Sequence, residues 1–202
     1  MSQPLDMLKH EDLQRHSDVL TGKVNLKTSW RVQSGNRLTQ RFTAVDLDAL
    51  GLIANAQLEW VSACHKKDID PFGGAAHYGG DTKAHGGQAA FETVTVDIDA
   101  LSKNPNAEYL VFGATCFNNS AGLGKLAEMS FSVEDLQGNF LAGPRMRGIV
   151  NSAATARFGV LLKFIPGGAV LVEIDDMYNV PGSLLDWRPL ATAATQVIER
   201  NR

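Results

Sequence analysis

The chain has 202 residues, 44% of them hydrophobic, with a formal charge of −3 and a pI of about 5.9. That length suits one globular domain with terminal extensions, able to bury about 70% of the surface its unfolded chain exposes. The mild acidity excludes nucleic-acid binding by bulk charge, since Lys66-Lys67 and Arg145/Arg147 are the densest basic points and read as solvated surface.

Residues 1–20 read as an N-terminal arm or a short helix, with Leu5, Leu8 and Leu13 loosely on one side. Charged residues from Lys9 to Arg15 leave no apolar core for a signal peptide. No run reaches the roughly 18 apolar residues of a membrane span, so a cytoplasmic location is the expectation. From Val24 to Val32 apolar and polar residues alternate, the period of a half-buried strand. Further strand-like runs follow at Phe42–Leu47, Leu58–Cys64, Glu92–Ile98, Tyr109–Cys116, Ala127–Val133, Arg145–Val150, Phe158–Phe164 and Ala169–Ile174. Gly, Pro, Asn and Asp clusters separate them, and Gly167-Gly168 reads as a tight hairpin connection. The pattern predicts an all-β fold, a two-sheet antiparallel β-sandwich over residues 21–182. Residues 183–202 then form an amphipathic helix packed on the domain, with Asp186 as N-cap and Trp187, Leu190, Ala191, Ala194, Val197 and Ile198 on one stripe.

Two features carry chemistry. In Val45-Asp46-Leu47-Asp48-Ala49 both aspartates point to one face, about 6.6 Å apart. At an effective dielectric of 20 two charges at that spacing repel by about 2.5 kcal/mol, and in open water by about 0.6 kcal/mol. An exposed pair needs no explanation, whereas a covered pair needs a cation, donors or a proton. The second feature is the Gly-rich loop from Gly80 to Glu92, with Asp81 and Glu92 at its ends. Glycines let backbone carbonyls turn inward, which suits calcium and its irregular oxygen shell. Cys64 and Cys116 read as buried structural thiols. Thiol catalysis at Cys64 with His65, His77 or His85, and a transition-metal site on those histidines, are minor alternatives. Ser120-Ala121-Gly122-Leu123-Gly124-Lys125 lacks the full phosphate-loop pattern and reads as an inter-strand loop. Glu173, Asp175 and Asp176 read as a solvated edge.

The order of these motifs resembles the TerD family, the tellurium-resistance and general stress domain of bacteria. The likeness rests on Asp46-Leu47-Asp48-Ala49, Trp60 to Lys67, His77-Tyr78-Gly79-Gly80-Asp81, Glu92, Val96-Asp97-Ile98, Tyr109 to Ala114 and Thr155 to Leu161. It spans roughly Val24 to Gly182. The resemblance implies a β-sandwich that binds calcium beside the loop, with metal contacts from Asp46, Asp48, Asp81 and Glu92 and from the Thr82 backbone. Lys83, His85, Gln88, Ala90 and Phe91 replace the acidic residues of the family's loop, so at most one, weak, calcium site is expected. The function implied is a non-enzymatic stress-response binding domain for an unidentified protein partner, other stress-system components among the candidates. Two alternatives stay open: a metal-independent scaffold in which Lys83 or His85 supplies the positive charge, and a hydrolase using His77 and Asp81.

Overall fold

The computed structural model describes residues 19–34, 45–80, 82–84, 86–116, 122–144, 153–180 and 187–201. The expected N-terminal helix at 4–15, the strand at 145–150, the N-cap at Asp186, and Asp81 and His85 lie outside the described residues.

The described strands, in chain order, begin with β1 (Lys23–Val32), β2 (Val45–Asp46), β3 (Asp48–Ala54), β4 (Trp60–Cys64), β5 (Ala76–Tyr78) and β6 (Lys83–Ala84). They continue with β7 (Ala89–Asp97), β8 (Tyr109–Thr115), β9 (Leu126–Glu134), β10 (Phe140–Ala142), β11 (Ala156–Ile165) and β12 (Gly168–Tyr178). They pair antiparallel into a front sheet, β10-β9-β1-β7-β5, and a back sheet, β12-β11-β8-β3-β4, with β2 and β6 as a small separate ribbon. Short helical turns α1 (Pro71–Gly74) and α2 (Ile98–Leu101) lie between strands, and α3 (Arg188–Asn201) ends the described chain. The all-β sandwich with a C-terminal amphipathic helix is therefore the observed fold.

Alternation builds the interior. On β1 the buried side chains are Val24, Leu26, Thr28, Trp30 and Val32, and on β7 they are Ala90, Glu92, Val94 and Val96. They meet Ile53, Leu110, Phe112, Val160 and Leu162 of the back sheet in one core. The central strands of the back sheet, β3, β8 and β11, are buried on both faces. Their outer side chains, among them Leu52, Val111, Phe158 and Leu161, pack under Leu190, Ala194, Val197 and Ile198 of α3. This explains why β3, which is buried at all seven positions, shows no polar alternation. The hairpin between β11 and β12 turns at Pro166-Gly167, where Gly167 has φ +87° and Gly168 already pairs with Ile165. The glycine is one residue earlier in the turn than expected, at the position that needs a positive φ.

One close approach locks the two sheets together. The register of β11 shifts between Phe158 and Val160 against both its neighbours, which puts Gly159 at a bulge. Phe131 of the front sheet lies against that glycine and meets Phe112 edge-on at 5.7 Å. A Cβ on residue 159 would overlap the Phe131 ring. Gly159→Ala is expected to lower stability by about 1–3 kcal/mol, the usual range for overpacking a core. A Phe131→Leu background should reduce that cost, read as a smaller shift in urea midpoint.

Candidate functional site

The aspartate pair sits where the chain changes sheets. Asp46 ends β2, which pairs with β6, and Asp48 begins β3, which pairs with β4 and β8. Val45, Leu47 and Ala49 enter the core between the sheets, so both aspartates take the opposite phase, as alternation requires. They are nevertheless covered: Asp46 is 6% exposed and Asp48 3%. This is the case in which the charges need neutralising.

The neutralising groups are lysines. The turn after β4 is closed by reciprocal backbone hydrogen bonds between His65 and Asp68 (3.0 and 2.9 Å), and Lys67 N–H donates to His65 Nδ1 at 3.1 Å. That turn holds the Lys66 side chain over the pair. Its Nζ contacts Asp48 Oδ1 and lies 3.8 Å from Asp46 Oδ2. Lys83 stands directly across the ribbon from Asp46, with its Nζ 3.3 Å from Asp46 Oδ2. Lys66 is thus not the solvated residue expected from the Lys66-Lys67 dipeptide: its side chain is only 20% exposed. Lys67 is exposed. Asp46 Oδ1 is buried with no hydrogen-bond partner among the described residues.

Glu92 plays a different part. It lies on the inward phase of β7, in step with Val94 and Val96, and is 2% exposed. Oε2 accepts from Ala49 N–H and from the Tyr78 hydroxyl, both at 2.8 Å, and Oε1 accepts from Thr82 N–H at 2.9 Å. One carboxyl therefore ties together the start of β3, the end of β5 and the loop before β6. Burial pushes its pKa up to about 7, against those three hydrogen bonds, and the Asp48 charge adds to the rise. Ala90 shares its inward phase, whereas Phe91 faces outward, half-exposed, with Lys27 Nζ 4.9 Å above its ring. Of the two substitutions beside Glu92, only Ala90 falls on the side of the cluster.

Calcium takes six to eight oxygens. The described donors do not fit it as they stand. Ammonium groups lie against both aspartates, and Glu92 is committed to three protein donors. Thr82 presents an N–H to Glu92. Among the described residues no three His, Cys, Asp or Glu side chains are grouped to hold an ion.

Other candidates are dispersed. His77 Nδ1 meets Asp70 Oδ1 at 2.6 Å on the front-sheet edge, both side chains about half exposed. The carboxylate it reaches is Asp70, and the proposed partner Asp81 lies outside the described residues. Cys64 and Cys116 are buried and form no disulfide, as expected. Burial, with Asp68 and Asp70 adding, pushes the Cys64 thiol up to about 12, the reverse of an activated thiolate. His65 is buried, and its pKa is lowered by that burial. Gly122–Lys125 forms a 3₁₀ turn followed directly by strand β9, so no helix N-terminus faces a phosphate there. The acidic edge of β12 is more engaged than a solvated edge. Asp175 Oδ1 accepts from the buried Arg157 at 2.7 and 2.8 Å, Asp176 pairs with Arg200 at 3.2 Å, and Glu173 accepts from Gly143 N–H at 3.2 Å. A cavity of about 670 Å³ lies between Trp60 of β4 and Trp187, Ala191 and Thr195 beside or on α3, which sequence reasoning did not anticipate.

No protein-family model and no curated protein sequence matches the chain. Solved structures do. A homologue of the telluride resistance protein TerD from Streptomyces coelicolor A3(2) superposes with a TM-score of 0.56 at 14% identity, over 83% of this chain and 95% of that one. The fold is TerD-like. A protein of unknown function, SAV2460, gives a TM-score of 0.60 at 14% identity, over 80% of this chain and 92% of its own. At 14% identity both comparisons carry the fold alone. No helix among the described residues is long and apolar enough to cross a membrane.

Proposed function

We propose that this chain is a non-enzymatic, TerD-like binding domain that balances its acidic end with its own lysines and works without calcium. The observation that carries this reading is Lys66, whose ammonium lies against both buried aspartates. With Lys83 it matches Asp46 and Asp48 charge for charge, and Glu92, its pKa raised by burial to about 7, adds little charge well below neutral pH. The Glu92 carboxyl fixes Thr82 and Tyr78, so the loops around it are ordered from within. They present exposed Ile69 beside Asp68 and Asp70, a surface suited to a protein partner. A stress-response role rests on the fold likeness.

A second reading keeps weak calcium at Asp46 and Asp48, favoured by the buried Asp46 Oδ1 that lacks a hydrogen-bond partner among the described residues. Calorimetric titration with calcium chloride separates the two. The expected result is no saturable heat and no calcium-dependent change in thermal midpoint. Saturable heat in the parent that disappears in the Asp46→Asn/Asp48→Asn variant would establish the calcium reading instead.

A further inference from the structure

We propose that this chain assembles head to tail with copies of itself, the apolar tip of the β9–β10 hairpin of one copy seating in the groove between Trp60 and Trp187 of the next. The contact uses neither the aspartate pair nor Lys66, so it stands or falls apart from the reading above.

The hairpin tip is exposed and fixed. Leu136 in the turn is 53% exposed, and Phe140 and Leu141 at the start of β10 are 63% and 46% exposed. The Asp135 carboxylate holds the turn. Oδ1 accepts from the Gln137 and Asn139 N–H groups at 2.9 and 2.8 Å, and Oδ2 accepts from the Asn139 side-chain amide at 2.7 Å. Gly138, at φ +85°, donates its N–H to Asp135 O at 3.0 Å. Three large apolar side chains are thus presented on a frame already ordered, which lowers the cost of binding through them. The edge backbone is the weaker element. β10 is short and slips register against β9 between Phe140 and Ala142, so it is a poor template for adding a strand.

The groove is pre-shaped. Its volume of about 670 Å³ lies between β4 and α3, within the range of sites that take up apolar groups. Trp60, Trp187 and Ala191 line it. Trp60 Nε1–H donates to Thr195 Oγ1 at 2.9 Å, and Thr195 Oγ1 donates to Ala191 O at 3.0 Å, so the helix holds that indole in place. Both tryptophans pack against the core under α3 as well. Arg188 and Glu199 also line the groove, and their opposite formal charges suit an uncharged insert better than an ionic ligand. A buried aromatic or aliphatic anchor in such a pocket is the usual centre of a protein interface.

Topology keeps hairpin and groove apart within one copy. β10 and β4 are end strands of different sheets. β4 packs beside β5, and β9 beside β11, so the two end strands lie at opposite edges of the sandwich. The hairpin stands four strand spacings, roughly 19 Å, from the edge that carries the groove. A fixed hairpin therefore cannot fill the groove of its own copy. A knob and a socket at different places on one surface make a heterologous contact, which repeats from copy to copy instead of closing on a two-fold axis. A contact confined to one hairpin and one groove belongs to the weak class below about 1,200 Å², so assembly should follow concentration.

Sedimentation velocity of the full chain over a hundredfold range of concentration tests this, with two variants. Phe140→Ser removes the anchor of the hairpin. Thr192→Trp fills the groove from an exposed helix position. The expected result is a parent whose mean mass rises past that of a dimer, and at least tenfold weaker association in each variant at an unchanged thermal midpoint. Leu136→Ser serves the same comparison if Phe140→Ser lowers the midpoint. An equimolar mixture of the hairpin and groove variants should form a one-to-one complex and grow no further, because one partner keeps the groove and the other the hairpin. A parent that stays monomeric throughout, or that stops at a dimer, overturns the head-to-tail contact. Association that survives Thr192→Trp, or a mixture of the two variants that stays monomeric, overturns it as well.

Discussion

Lys66→Met is expected to lower the unfolding free energy by about 3–5 kcal/mol, the usual cost of deleting one partner of a buried ion pair. The magnitude follows from burial. The Asp46 and Asp48 side chains are 8% and 4% exposed, and that of Lys66 is 20% exposed, so these groups are not the screened surface pairs that contribute little. With the ammonium gone, two covered carboxylates are left with Lys83 as their ion-pair partner among the described residues. Lys83→Met is the internal contrast. Its side chain is mostly in solvent and should cost no more than about 1 kcal/mol. Asp48→Asn in the Lys66→Met background should recover most of the loss, because it removes the charge that was orphaned. Urea unfolding of the parent, Lys66→Met, Asp48→Asn and the Lys66→Met/Asp48→Asn variant forms a double-mutant cycle, and a coupling between positions 48 and 66 below that of an exposed pair would show Lys66 to be a surface residue after all.

Strands that alternate, and long apolar runs bounded by turn residues, were legible in the sequence. The runs at Val24–Val32, Tyr109–Cys116 and Phe158–Phe164 match β1, β8 and β11 within three residues at each end. Of these only β1 alternates; β8 is buried at all seven positions and β11 at eight of ten, and those two are marked by long apolar runs with aromatic residues between turn residues. The strand β3 was not legible. Leu50, Leu52 and Ala54 pack under α3 while Ala49 and Ile53 enter the inter-sheet core, so no face is left to carry a polar signal. Short strands such as β5, β6 and β10 fall below the length at which a period can be read.

At the site, the common face of Asp46 and Asp48 was legible, and their cover was not. Burial depends on the turn after β4, and nothing in Lys66-Lys67 states which lysine turns inward. Glu92 carried a plainer signal. It stands in step with Val94 and Val96, and a carboxylate on the apolar phase of a strand is a buried carboxylate that must find donors. Those donors come from Ala49, 43 residues before Glu92, and from Tyr78 and Thr82, 14 and 10 residues before it, and only the folded register brings them to one point.

Glu92 also predicts how stability depends on pH. Its carboxyl is raised from an ordinary value of 4.5 to about 7 in the folded chain, chiefly by burial. The folded state therefore holds this proton more tightly than the unfolded state does. Glu92 contributes its stabilisation fully below about pH 4.5 and loses it as pH rises through about 7. A rise from 4.5 to about 7 corresponds to about 3 kcal/mol between those limits. Urea unfolding from pH 5 to pH 8 should show stability falling with pH over this window, opposite to the trend from carboxylates that are stabilised as anions. Glu92→Gln cannot titrate and keeps a carbonyl acceptor, so its profile should be flatter, with the difference between the two proteins confined to that interval. A parent profile that rises through the window, or one that Glu92→Gln leaves unchanged, would mean that the Ala49, Thr82 and Tyr78 donors hold Glu92 ionised despite its burial. In that case the cluster would carry a third negative charge at neutral pH, and Lys66 and Lys83 could no longer balance it alone.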